Sequence, residues 1–206
     1  MSKFSSTTFG KISGKHGTAV ASTREGKSIL RVYTPPSNPN TDAQQSQRIK
    51  FGLVAVSLNP LRNIIYYGFG GTNGYSQAYS LALRNAITGT YPAFSINYAK
   101  VMLSSGSLPQ SPSVNVTKGA GTDVTVEWDV SVWTNGSPDD LVHICFLNDS
   151  TKAVVYSQAQ VIRSAGQSAI VLPAVWAGAV IHCWIFFASP GSQKCSVSQY
   201  IGTVAL

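Results

Sequence analysis

The sequence predicts two domains: a basic α+β half over residues 1–109, then an all-β immunoglobulin-like sandwich over residues 112–206. Three observations carry this. Apolar residues recur at helical spacing only between Thr41 and about Thr88. From Val114 onward every apolar run is short and bounded by turn residues. Between the two lies Leu108-Pro109-Gln110-Ser111-Pro112, where composition and periodicity both change.

Within the first half, glycines punctuate short runs at Thr18–Ser22 and Ser28–Tyr33, and Glu25-Gly26 between them is a hairpin signal. Thr34 to Asn40 holds three prolines and reads as an extended linker. Thr41 with Gln44 forms a capping box that opens a helix. Ile49, Leu53, Val56 and Leu58, with Phe51 and Val54, give its apolar stripe. At Asn59-Pro60 the helix restarts, with Asn as cap and Pro at the first position, and ends near residue 66. The glycine loop Gly68–Gly74 precedes another helix over about 75–88, ended by Gly89. Residues 94–103 alternate as a half-buried strand.

Beyond the boundary, seven runs read as strands: Val114–Thr117, Asp123–Val132, Leu141–Leu147, Ala153–Gln160, Ser168–Leu172, Val180–Ala188 and Cys195–Ala205. Seven short strands in this length match an immunoglobulin-like sandwich, with Trp128 or Trp184 as the core tryptophan.

Only 11% of residues are charged, against roughly 25% in an ordinary soluble domain. The net charge of +7 is uneven: residues 1–109 carry +9 and residues 110–206 carry −2. A basic half beside a slightly acidic half suits a polyanion, or copies packed basic face to acidic face. The polyanion or subunit contact is assigned to Lys11, Lys15, Arg24, Lys27, Arg31, Arg48 and Lys50, with Phe9 and Tyr33 interleaved. Their spacing matches no named nucleic-acid module.

The three cysteines, Cys145, Cys183 and Cys195, lie in apolar runs as buried free thiols do. A hairpin loop at Ser189–Gln193 would set Cys195 opposite Phe187 and away from Cys183. The polar N-terminus lacks the apolar core of a signal peptide, which predicts cytoplasmic synthesis. No apolar run is long enough to span a bilayer.

Three blocks of the first half have a family character. One is Gly10-Lys-Ile-Ser-Gly14-Lys15-His-Gly17 with Gly26-Lys27 and Ile29-Leu30-Arg31. A second is Gln44–Arg48, Phe51, Leu58-Asn-Pro60-Leu61, Ile65 and Gly68-Phe69. The third includes Asn85-Ala-Ile-Thr-Gly-Thr-Tyr-Pro92, Ile96–Val101 and Gly106-Ser-Leu-Pro109. Together they resemble an uncharacterised Bacteroidetes family of proteins about this long, a domain of unknown function. His16 and Asn97 depart from its pattern, standing where a small apolar residue and an Asp are expected. The resemblance implies no activity. Its genes look like mobile-element or phage genes, which implies a virion or assembly component.

Chemistry-bearing motifs are sparse. Asp139-Asp140 is a turn, where neighbouring carboxylates point apart, rather than an acid/base pair. His143 with Cys145 and His182 with Cys183 lack zinc-ligand spacing and read as core packing. The glycine segments at 68–74, 10–15 and 26–28 fail the dinucleotide and phosphate-loop patterns. The expected function is a non-enzymatic structural or interaction subunit without cofactor, metal or small-molecule substrate, binding itself or other protein subunits, with a virion as one such assembly. The alternative is a nucleic-acid-binding protein using the basic half.

Overall fold

The structure is a computed structural model that describes residues 2–3, 13–24, 27–35, 37–71, 73–131, 135–191 and 194–206. The fold is mixed α+β, mostly β, with several antiparallel sheets. It divides into two compact units, Met1–Thr41 and Asp42–Leu206. The expected break at Pro109–Pro112 therefore falls inside the second unit.

The first unit is one four-stranded antiparallel sheet. Its strands are β1 (Ser2–Lys3), β2 (Gly14–His16), β3 (Ala19–Arg24) and β4 (Lys27–Val32), in the order β1-β4-β3-β2. β3 and β4 pair from Ala19↔Val32 to Arg24↔Lys27, as the hairpin signal required. The turn residues Glu25 and Gly26 lie outside the described residues. Ala21 is the only buried side chain among those described in this unit.

In the second unit, α1 (Asp42–Leu58) runs through a 3-10 turn (Asn59–Leu61) into α2 (Arg62–Gly68). Asn59 does not cap it; Leu58 holds that place and Pro60 sits within the turn. The buried stripe is Val54, Leu58, Leu61 and Ile65, while Ile49, Phe51 and Val56 of the expected stripe are exposed. Two apolar stripes adjoin on this helix, and the core takes only the one that continues past Pro60. α3 (Gly74–Asn85) ends before Ile87, because Ile87–Thr90 forms β5 and pairs with β6 (Ala93–Ile96). Thr and Ile favour that hairpin over a further helical turn. The expected strand stops at Ile96, where the Asn97 side chain accepts from the Ala99 N–H and turns the chain.

All seven predicted later strands form. They are β7 (Val114–Lys118), β8 (Asp123–Trp128), β9 (Leu141–Asn148), β10 (Val154–Ile162), β11 (Gln167–Val171), β12 (Val180–Ala188) and β13 (Gln199–Ala205). They make a three-stranded sheet, β11-β8-β7, and a four-stranded sheet, β10-β9-β12-β13. Val124, Val126 and Trp128 of the first pack against Ile144, Phe146, Cys183, Ile185 and Phe187 of the second. The opposite face of the four-stranded sheet is also covered. Cys145, Leu147, Trp184, Phe186 and Ala188 pack with Val54, Leu58, Ile65, Ala78 and Ala82 of the helices. The order is thus helices, four-stranded sheet, three-stranded sheet, with cores on both sides of the middle layer. Both tryptophans named from the sequence are buried, Trp128 between the sheets and Trp184 under the helices.

The layers run on through the segment where the sequence placed its boundary. Residues 98–111 lie along the middle sheet: Ser104 Oγ donates to the Ser196 carbonyl at 2.8 Å, and Leu108 bridges Ser196. Gly106 passes so close to Cys195 that a Cβ would collide with its carbonyl. Arg163, fully buried, donates to the Pro109 carbonyl at 2.7 Å and to Asp140 at 3.2 Å, over the ring of Phe187. The prolines here belong to an extended strap.

Candidate interaction surface

The first unit collects its positive charge by strand register. In an antiparallel sheet, residues directly opposite point to the same face, and so do alternate residues along a strand. Lys15 is opposite Val20, and Val20 is opposite Arg31. Lys27, Ile29, Arg31 and Tyr33 share that parity, so Lys15, Lys27, Arg31 and Tyr33 occupy one face. Lys3, opposite Ile29, and Arg24, opposite Lys27, hold register positions of the same parity. The other face carries Ala19, Ala21, Thr23, Ser28, Leu30 and Val32 and, among the described residues, no Lys or Arg.

Lys15, Lys27 and Arg31 are all exposed. The Lys15 ammonium sits 4.0 Å from the centre of the Tyr33 ring, a cation–π contact that holds the ring in place. Tyr33 is fixed by its own N–H, which donates to the Thr18 carbonyl at 2.8 Å. Around this pair is a groove of about 470 Å³ lined by Lys15, Val20, Arg31, Val32, Tyr33 and Thr34. Two cations beside an aromatic ring on a sheet face can bind phosphates or carboxylates.

Of the residues singled out from the sequence, Lys15, Lys27 and Arg31 come together, and Arg24 joins them by register. Lys11 lies outside the described residues. Arg48 and Lys50 belong to α1 in the second unit, where Lys50 lies 4.9 Å from the Phe94 ring centre. The acidic turn divides: Asp139 is exposed, but Asp140 is buried beneath Arg163 and accepts from the Ser137 N–H at 2.9 Å. Asp140 is therefore no part of any solvated acidic patch, because it neutralises an otherwise isolated buried guanidinium.

A second charged feature escaped the sequence reading. Asp123, Glu127 and Asp129 follow one parity through and just past β8, whose other parity, Val124, Val126 and Trp128, is buried between the sheets. The outer face of the three-stranded sheet thus carries three of the chain's eight acids. Its neighbours across the strands are uncharged: Asn115 and Thr117 on β7, Gln167, Ala169 and Val171 on β11. The signal was present as the alternation Asp-Val-Thr-Val-Glu-Trp-Asp.

The interior groups are chemically quiet. Burial pushes His143 down to about 4, so it is neutral at pH 7; it bonds the Tyr156 hydroxyl and stacks on Phe186. Burial raises all three thiols, Cys195 to about 11, and none forms a disulfide. Thiols so protonated are poor nucleophiles. Cys195 lies opposite Ala188, one residue from the expected Phe187, because Ser196 instead exchanges hydrogen bonds with Phe187. His182 bonds the Tyr200 hydroxyl at 2.8 Å, and desolvation lowers its pKa despite Asp149 at 3.7 Å. Among the described residues, no group of three or more His, Cys, Asp or Glu is placed to hold a metal. Also among them, no helix is long and apolar enough to cross a membrane.

Among curated proteins, no sequence matches the chain. A family match extends over residues 11–202, through both units and well past the motif blocks of the first half. The chain belongs to that family, a family of unknown function (DUF6266).

Proposed function

We propose that this protein is a non-enzymatic structural or interaction subunit, a component of a larger assembly such as a phage particle of Bacteroidetes. The observation that carries this reading is the basic face of the N-terminal sheet. A four-stranded sheet with one buried side chain among those described has little core of its own, and such sheets gain stability by packing on something else. The placement of Lys15, Lys27 and Arg31 on one face supplies electrostatic selectivity for what docks there.

The body suits a scaffold. Its strand order, β11-β8-β7 against β10-β9-β12-β13, supports an immunoglobulin-like reading of the two packed sheets, a fold widely used for adhesion and assembly. Synthesis in the cytoplasm followed by incorporation into a particle belongs to the same proposal.

The Lys15–Tyr33–Arg31 groove favours one second reading, binding to nucleic acid through phosphate contacts and base stacking. Light scattering across a concentration series in 50 mM salt, beside gel shifts with duplex and single-stranded DNA and RNA, separates them. Growth in mass without nucleic acid supports the subunit reading. A shift whose log–log salt slope falls by two to three on changing Arg24, Lys27 and Arg31 to Gln, about one per phosphate contact, supports the second. A protein that stays monomeric and shifts nothing contradicts both.

A further inference from the structure

We propose that the occupant of the basic sheet face is a second copy of this chain, docked through the acidic outer face of its three-stranded sheet. The inference rests on the subunit reading above and names its partner. Three observations meet. First, the two faces are opposite in charge: Lys15, Lys27 and Arg31, with Lys3 and Arg24 at matching register positions, against Asp123, Glu127 and Asp129. Second, the charges are exposed on both faces: Lys15, Lys27 and Arg31 on one, Asp123 and Glu127 on the other. Third, their spacings agree. Lys27 and Arg31 are four residues apart on β4, and Asp123 and Glu127 are four apart on β8. Four residues of strand span about 13 Å, so two aligned strands bring both pairs together at once.

What lies between the charges also fits. Ile29 stands between Lys27 and Arg31, and Thr125 between Asp123 and Glu127. Neither is charged, and the strands beside β8 present only Asn115, Thr117, Gln167, Ala169 and Val171 on that face. Val171, 74% exposed, gives the acidic face an apolar rim that docking would cover. Lys118 on β7 has the opposite parity, paired with the buried Val124. Two of the other acids compete poorly: Asp140 is buried under Arg163, and Asp149 already holds Lys152 at 2.6 Å.

The two surfaces belong to different parts of the chain, so the contact is head-to-tail. Such a contact leaves the acidic face of one copy and the basic face of the other unfilled, and it closes into a ring or continues as a filament. Because the charges are exposed, the association is weak per contact and sensitive to salt.

The test exchanges charges between faces. One variant carries Lys27→Glu and Arg31→Glu; the other carries Asp123→Lys and Glu127→Lys. Wild type in 50 mM salt grows in mass with concentration, and 300 mM salt weakens this about tenfold or more. Each variant alone remains monomeric, since its two exchanged positions now meet charges of their own sign on the opposing strand. An equimolar mixture regains the wild-type mass, because each face of one variant finds its opposite on the other. Circular dichroism and melting confirm that both variants stay folded. A variant that associates alone like wild type, or a mixture that stays monomeric while wild type assembles, overturns the proposed contact and leaves the subunit reading standing. Wild type that is monomeric at every concentration overturns both.

Discussion

This chain contains two four-stranded antiparallel sheets that meet opposite fates. The sheet β10-β9-β12-β13 is buried on both faces, and its two central strands run almost without an exposed residue: Val142 to Asn148 and Ile181 to Ala188, with only His182 half-buried. The sheet β1-β4-β3-β2 has one buried side chain among those described. Strand number and pairing are the same, so neither decides what holds a sheet. Apolar cover does: the first has a sheet on one side and helices on the other, and the second presents lysines and arginines. One sheet is a foundation and the other a surface.

The comparison breaks if either side of the middle sheet is dispensable. Trp128→Ala and Trp184→Ala empty opposite faces of the same layer, and each should cost about 3–5 kcal/mol. Far-ultraviolet dichroism should then show helices and strands melting together at a lower temperature. Helices that melt alone in the Trp184 variant would mean that their layer is separable after all. Arg163→Met should cost about 3 kcal/mol, since it strands Asp140 without a cation and frees the Pro109 carbonyl. A melting midpoint unchanged by that substitution would show that the strap over residues 98–111 is held by other contacts.

Much of this layering was legible. Seven strands appeared where turn residues and β-branched runs placed them, because each run is short and sharply bounded. The strands that alternate, such as Val124-Thr-Val126-Glu-Trp128, advertised one buried face correctly. Cover for the middle sheet was signalled too, since Leu141–Leu147 and Val180–Ala188 are apolar at both parities, and a strand buried on both faces reads that way. What the local pattern could not reveal was the identity of the cover. Helices from residues 42–85 close over strands a hundred residues later, and nothing at 108–112 distinguishes a strap from a linker. On α1, the single stripe read from periodicity merged exposed residues, Ile49, Phe51 and Val56, with the buried Val54 and Leu58. The basic residues were picked out by type, but their gathering on one face is a matter of register, visible only once Lys15 is known to oppose Val20 and Val20 to oppose Arg31. Charge counting over long segments also hid the acidic row, because six acids and four bases in residues 110–206 nearly cancel.

Acid should weaken the buried sheet and spare the exposed one. His143 is held down to about 4 by burial, below its ordinary value of 6.5. The unfolded chain therefore binds a proton that the folded chain refuses between those values. Stability is full above about pH 6.5, falls as pH drops, and levels off near pH 4, a loss of about 3 kcal/mol. His182, lowered in the same direction by desolvation while facing Asp149 and Lys152, adds to the slope. Urea melts of wild type and His143→Phe across this range check it: the variant should show a clearly flatter profile. At the small end, Val20→Ala in the N-terminal sheet should move unfolding detected by tryptophan by less than about 1 kcal/mol, because all four tryptophans lie beyond residue 41. A larger shift would mean that this sheet supports the body.

Native-state hydrogen exchange, read by mass spectrometry on dilute and concentrated protein in low salt, compares the two sheets directly. In dilute protein, amides of Val142–Leu147 and Ile181–Phe187 should exchange only through global unfolding, and those of Val20–Ser22 and Ile29–Arg31 orders of magnitude faster. Concentration should slow the second set alone, as copies cover the basic face. Equal protection of both sheets in the dilute monomer would contradict the account, because the N-terminal sheet would then be held by the chain itself and would need no partner.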